Sequence, residues 1–318
     1  MSSNKQVTYH ATRQGYGEAL LELGQDPRIV VLDADLAKST TSLAFKKEFP
    51  QRFFDCGVAE MSMMGVAAGL AVSGKICFTG SFAMFATGRA YEPIRNTIAY
   101  SNLDVKLCPT HAGITVGPDG ASHQAIEDIT LMRAIPGMKV VVPADYIEAK
   151  HAIITAAKTK GPVYIRLGRA PVADINKEGD YKFEFGKAVV LREGGDVTIV
   201  AVGVMVFEAL KAAEALSEKG IEAEVINPRS VKPLDEKTIV TSAKKTGKIV
   251  TAECHTIIGG LGSAICEAIS KNHPVPVEMV GVEDTFGQSG NPDELLQHYG
   301  LTAKAIVKKV QKVIGGSS

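Results

Sequence analysis

The sequence has 318 residues, enough for two domains that each bury an apolar core. Lys+Arg and Asp+Glu both number 35, so the formal net charge is zero and gives no electrostatic footing for nucleic acid. No apolar run approaches membrane-spanning length, and the polar start of the chain has no signal-like segment; the expected setting is cytoplasmic. The five cysteines are odd in number and form no CxxC pair, so they read as small apolar residues of a reducing compartment, not as a zinc site.

Residues 12–23 place Tyr16, Ala19, Leu20 and Leu23 on one face of an amphipathic helix. Ile29, Val30, Val31 and Leu32 form a continuous apolar run, which suits a parallel strand buried on both faces. The run ends at Asp33-Ala34-Asp35-Leu36 and a polar loop with Ser39, Thr40 and Thr41. Open α/β sheets place ligands there, beyond the carboxyl ends of their strands. The same loop residues also suit the cap of a short helix. Phe53-Phe54-Asp55 reads as a strand, Gly57 as a turn, and the next stretch as an apolar helix with Glu60 in its first turn. Gly65, Ala67, Ala68 and Gly69 make that helix a surface another backbone could approach. A carboxylate at that place also complements a helix dipole, so Glu60 alone decides nothing.

The alternation continues with a strand at 75–79, a long helix at 81–100 led by Phe82 and Phe85, and a strand at 105–108. A glycine-rich loop follows from His111 through Gly117-Pro118-Asp119-Gly120 to His123-Gln124. Helices at 126–134 and 146–158 and strands at 139–142 and 163–166 complete a first unit, residues 1–170. Residues 171–182 are polar and read as a linker. Strands at 196–201, 223–226, 248–251 and 275–280 then alternate with helices to give a second unit, residues 183–318, ending in a frayed Gly-Gly-Ser-Ser. The fold class expected is α/β, with two doubly wound, mainly parallel sheets.

Four strand ends of the first unit carry polar groups, and a parallel sheet brings such ends to one edge. They are Asp33 and Asp35 with Ser39, Asp55 with Glu60, the His111–His123 loop, and Arg166 with Arg169. Histidines supply groups that titrate near neutrality. The arginines suit a phosphate or carboxylate. Each residue also has a structural reading: a satisfied histidine, a surface-paired arginine, core phenylalanines. The spacing of His111, Asp119 and His123 fits no standard metal set, so no metal ligand is assigned. There is no GxSxG, no GxxxxGK[ST], and no GxGxxG opening a helix.

Taken together, these motifs resemble the transketolase family: Ala11-Thr12-Arg13, Asp33-Ala34-Asp35-Leu36 with Ser39, Gly57-Val58-Ala59-Glu60, Ser81-Phe82-Ala83-Met84-Phe85, and the His111 to Gln124 loop. The likeness spans nearly the whole chain, as a pyrimidine-binding domain followed by a C-terminal domain. It implies thiamine diphosphate as cofactor. It implies that Glu60 hydrogen-bonds a ring nitrogen of the cofactor's aminopyrimidine, that Phe82 and Phe85 pack that ring, and that Asp35 lies on the cofactor side. A further family aromatic, three positions after Phe85, is Gly88 here. On the substrate side the resemblance assigns Arg13, Ser39, His111 and Arg166 to a sugar phosphate, with Arg169 as the alternative to Arg166. It assigns Asp119 and His123 to sugar hydroxyls, and His111 and His123 to the catalytic centre with Glu60.

Full-length members carry a Gly-Asp-Gly…Asn motif for Mg²⁺ and the diphosphate, and this sequence has none. The resemblance therefore implies a split enzyme. An N-terminal subunit would hold the metal and diphosphate, with two copies of each chain. The expected reaction moves a two-carbon ketol unit between sugar phosphates. The β subunit of a 2-oxo acid dehydrogenase, a deoxyxylulose-phosphate synthase fragment and a non-catalytic assembly or regulatory subunit remain as other readings.

Overall fold

Apolar strand runs and amphipathic helices alternate along the sequence, and the computed structural model, which describes residues 7–179 and 181–315, assembles them into two mainly parallel α/β sheets. The first sheet is seven-stranded, in the order Ser230–Lys232, Lys139–Val141, Val163–Ile165, Val105–Leu107, Ile76–Gly80, Ile29–Asp33, Phe53–Asp55. All its pairings are parallel except that of Ser230–Lys232. Every residue of Ile29–Asp33 and of Ile76–Gly80 is buried, which is why these strands read as unbroken apolar runs. The chain leaves Ile29–Asp33 for Phe53–Asp55 on one side and then crosses to Ile76–Gly80 on the other. Such a reversal opens a crevice at the carboxyl ends.

The second sheet runs Val277–Val282, Ile249–Thr256, Val197–Ala201, Ala223–Asn227, Val189–Arg192, with the last strand antiparallel. One apolar cluster spans both sheets: Met63, Leu32 and Val140 of the first half belong to it with Val200, Ile226 and Ile265 of the second. On the other face of the first sheet, the helices Thr12–Leu23 and Tyr146–Ala157 pack closely. A side chain at Gly15 would meet the Tyr146 carbonyl at 2.5 Å, so only glycine fits that crossing.

Three local features depart from the sequence reading. The 81–100 segment is not a regular helix: wide π turns at Phe85–Arg89 and Ile94–Ala99 flank Tyr91–Pro93. Pro93 has no N–H to offer an α-helical ladder there. Within the 171–182 linker, Val172–Ala173 pairs with Tyr9–His10, and Ile175 and Asn176 donate to Asp145. Ser230–Lys232, from the second half, adds a strand to the first sheet. Asp180 of the linker and 316–318 of the Gly-Gly-Ser-Ser end lie outside the described residues. Among the described residues, no helix is long and apolar enough to cross a membrane.

Candidate active site

Asp33, Asp55 and Gly80 are register partners at the carboxyl ends of three adjacent strands. Backbone pairing continues past those ends: Cys56 N–H donates to the Asp33 carbonyl, Thr110 N–H to Ser81, Ala83 N–H to Thr110, and Ala112 N–H to Leu167. This extension brings the loop residues together at one edge, where side chains of five connections meet.

Gly57, with φ +68°, turns the chain so that Glu60 becomes the first residue of the helix Glu60–Val72. Glu60 is 3% exposed, and its Oε1 accepts a hydrogen bond from Ser81 Oγ at 2.9 Å. Met63 and Met64 behind it are fully buried. The carboxylate thus has both the helix-start position and an apolar surround. Phe82 and Phe85 follow Ser81, half-buried, with ring centroids 6.5 Å apart. They form an aromatic wall with one open side.

His111 stacks on Phe82 at 3.9 Å between centroids, and His123 meets Phe85 edge-on at 5.1 Å. The His111 Nδ1 is 2.7 Å from Thr110 Oγ1. Burial first, then the charges of Arg13, Arg169 and His123, push His111 down to about 3, so it is a neutral hydrogen-bonding group. His123 is half-buried with Nδ1 3.0 Å from Ser122 Oγ, and Asp119 is exposed on the same loop.

Arg13 Nη1 donates to the Ser39 carbonyl at 2.7 Å, and Arg169 Nη1 donates to the Val116 carbonyl at 2.6 Å. Neither contact supplies a negative charge. Burial, then the like charge of Arg169, lowers Arg13 from its ordinary value. Asp33 fixes the neighbouring loop by accepting from Thr40 Oγ1 at 2.7 Å, Ser42 Oγ at 2.9 Å and Leu36 N–H at 2.6 Å. That loop carries Ser39, and Asp35 in a left-handed conformation, φ +63°, exposed to solvent.

Arg166 is engaged by the protein itself. It is 8% exposed and forms a bidentate pair with Asp128, Nε to Oδ2 at 2.7 Å and Nη2 to Oδ1 at 3.0 Å. Its Nη2 also donates to the carbonyls of Ala125 and Cys254. Nε and Nη2 of Arg166 are thus committed to protein partners, whereas Arg169 keeps a single carbonyl contact, through Nη1. Sequence reasoning gave no role to Ser81, Thr110 or Asp128. Ser81 and Thr110 had a signal, since each lies just past a strand end; Asp128 had none, because its partner is 38 residues away.

Two family models cover most of the chain, the transketolase pyrimidine-binding domain over residues 9–173 and the transketolase C-terminal domain over residues 186–306. The chain belongs to the transketolase family. Among its transketolase relatives, a putative transketolase C-terminal section of Methanocaldococcus jannaschii is 51% identical over 307 residues, covering 96% of each chain. The 6-deoxy-6-sulfo-D-fructose transketolase subunit SqwH of a Clostridium species is 49% identical over 305 residues, covering 96% of this chain and 94% of that one. A solved structure described as a split gene transketolase, inactive beta4 tetramer, matches with a TM-score of 0.88 at 53% identity, covering 96% of this chain and 98% of that one.

The transketolase family depends on thiamine diphosphate, and the residues present fit one end of it. A buried carboxylate beside an open aromatic wall suits a planar ring with a nitrogen to share a proton. Among the described residues, no group of three His, Cys, Asp or Glu could hold a metal ion.

Proposed function

We propose that this chain is one half of a split transketolase, the half that holds the cofactor's pyrimidine ring and the sugar. On this reading it moves a two-carbon ketol unit from a ketose phosphate, such as xylulose 5-phosphate, to an aldose phosphate, such as ribose 5-phosphate or erythrose 4-phosphate. The observation that carries the proposal is the Arg13 and Arg169 pair, without an acid contact among the described residues, beside neutral His111 on the Phe82 wall. An anionic tail on the substrate answers the two guanidiniums, while a neutral imidazole suits hydroxyl groups. The relative named for a sulfofructose makes a sulfonate tail the second anion to test.

Each residue then has a task. Glu60 holds a proton at the pyrimidine ring nitrogen, and Ser81 keeps that carboxylate in place. Phe82 and Phe85 pack the ring and exclude water. His111 and His123 orient sugar hydroxyls and move protons at the substrate oxygens; Asp119 meets a hydroxyl near the reacting carbon; Ser39 joins the arginines at the tail. Thiamine diphosphate supplies the reactive thiazolium carbon when bound. A partner chain, the N-terminal transketolase subunit, contributes the diphosphate site and Mg²⁺, two copies of each chain forming the enzyme. The solved relative described as a split gene transketolase, inactive beta4 tetramer, supports that division of labour.

The test is reconstitution. The chain is mixed with its partner subunit, thiamine diphosphate and Mg²⁺, and ketol transfer from xylulose 5-phosphate to ribose 5-phosphate is followed. Transfer is expected. Decarboxylation of pyruvate in its place would move the chain to the 2-oxo acid dehydrogenases, and transfer only from a sulfonated ketose would replace the phosphate in the proposal.

A further inference from the structure

The loop from His111 to Gln124 has little secondary structure of its own, only the short turn Ile114–Val116. Glycines at 113, 117 and 120, all with positive φ, would leave such a loop many conformations in isolation. Its shape is set from outside. Gln124 is 2% exposed, and its Nε2 donates to the Ile114 carbonyl at 3.2 Å and to the Gln288 carbonyl at 2.9 Å. One amide therefore ties the start of the loop, its end, and a segment of the second half of the chain. Ser289 Oγ donates to the Pro118 carbonyl at 2.6 Å, one residue from Asp119. A Cβ at Gly117 would lie 3.1 Å from Pro292, and one at Gly287 would lie 1.8 Å from the Gln124 Oε1. The two segments are fitted to each other with no room for a methyl group at Gly287.

We infer that residues 285–292 act as a clamp that holds the 111–124 loop in its working shape, with Gln124 as the central positioning residue. Through this clamp the second half of the chain fixes where Asp119 and His123 stand. The mechanical part rests on the contacts above. The effect on the sugar rests on the proposed function, because Asp119 and His123 are there assigned to substrate hydroxyls. Glu60 lies on another connection, while the loop reaches the Phe82 and Phe85 wall through His111 and His123, so the clamp bears first on binding of the ketose.

The experiment compares the full chain with Ser289→Ala, Ser289→Thr and Gly287→Ala. Hydrogen exchange is read at the amides of Gly120, His123 and Gln124, which all donate within the loop. Ser289→Ala and Gly287→Ala should speed exchange there about tenfold, the scale of losing one net hydrogen bond, while Ser289→Thr, which keeps the hydroxyl, behaves as the parent. In the reconstituted enzyme the same two variants should raise KM for the ketose about tenfold and lower kcat as well, because His123 moves with the loop. Unchanged exchange in both variants would overturn the clamp. Faster exchange with parental KM would overturn its positioning role. If the parent enzyme transfers no ketol unit, the proposed function fails alone, and the exchange data still decide whether the clamp exists.

Discussion

Ser81 Oγ stands 2.9 Å from Glu60 Oε1, joining the first residue past one strand to the residue that begins the helix after another. The bond crosses from the Ile76–Gly80 connection to the Phe53–Asp55 connection, so the carboxylate is held by its neighbour and not by its own helix. Glu60→Gln keeps an oxygen for Ser81 and removes the ability to share a proton. The reconstituted enzyme should lose about 10²–10⁴-fold in kcat, the usual span for a general acid–base group. Circular dichroism and melting temperature should stay at parental values. Turnover within a few fold of the parent would remove Glu60 from the mechanism.

The two arginines near the crevice should separate cleanly. Arg169→Ala removes an open guanidinium, so KM for a phosphorylated ketose should rise about 10–100-fold, equivalent to about 1.5–3 kcal/mol for charge-assisted hydrogen bonds. Its melting temperature should hardly move. Arg166→Met strands Asp128, which is 1% exposed, and breaking a buried pair costs roughly 3–5 kcal/mol. Urea denaturation should show that loss directly. A KM effect from Arg166→Met in a chain of parental stability would restore Arg166 to the substrate site.

His255 makes stability fall in acid. Its Nδ1 lies 2.7 Å from the Thr256 carbonyl, and its Nε2 accepts the Ile129 N–H at 3.2 Å. With one nitrogen donating and the other accepting, the folded ring is neutral, and burial pushes it down to about 4. The unfolded ring takes a proton at its ordinary value of 6.5. The contribution is therefore present above that value and is lost as pH falls through about 4, roughly 3 kcal/mol in all. Glu253, raised to about 7 by burial despite N–H donors from Gly262 and Leu261, works in the opposite sense: its contribution is present below the ordinary carboxylate value and is lost as pH rises through about 7. His255→Gln should flatten the acid limb of a urea midpoint series between about pH 4 and about pH 6.5. An acid limb as steep as the parent's would place the effect elsewhere.

The helix Glu60–Val72 turns an apolar side to solvent. Met61 is 53% exposed, Val66 46% and Val72 74%, and a Cβ at Gly65 or Gly69 would meet nothing within 4 Å. A surface so open and so apolar suits a second chain. Val66→Glu should shift light-scattering mass toward the single chain and weaken association at least tenfold, because an unpaired charge would be buried at the contact. The isolated chain should melt no lower than the parent. Unchanged mass would remove this face from the assembly.

Much of the first sheet was legible because its strands are buried on both faces and therefore appear as runs such as Ile29-Val30-Val31-Leu32. The helix Thr12–Leu23 was legible from its apolar period. The residues gathered at the sheet edge were legible because parallel strands end on one side. What escaped was long-range. The Ser230–Lys232 strand is three residues long and pairs with a strand far back in the chain. The Arg166–Asp128 pair joins a strand end to a helix start, and nothing local distinguishes Arg166 from Arg169. Glu253 and His255 extend a strand read as ending at Thr251, since buried polar residues mask the apolar signal until their partners are seen.

The short strand Ser230–Lys232 has a consequence for any attempt to separate the halves. Cut between residues 173 and 186, the first piece would expose the edge of Lys139–Val141, a strand in which Val140 and Val141 are buried. Open edges of that kind recruit other strands. The shared core around Met63 and Ile265 would be opened as well. The two fragments would therefore behave as complements that rescue each other on mixing, and a shortened chain meant to deliver the pyrimidine-side half alone would have to carry a substitute strand to close that edge.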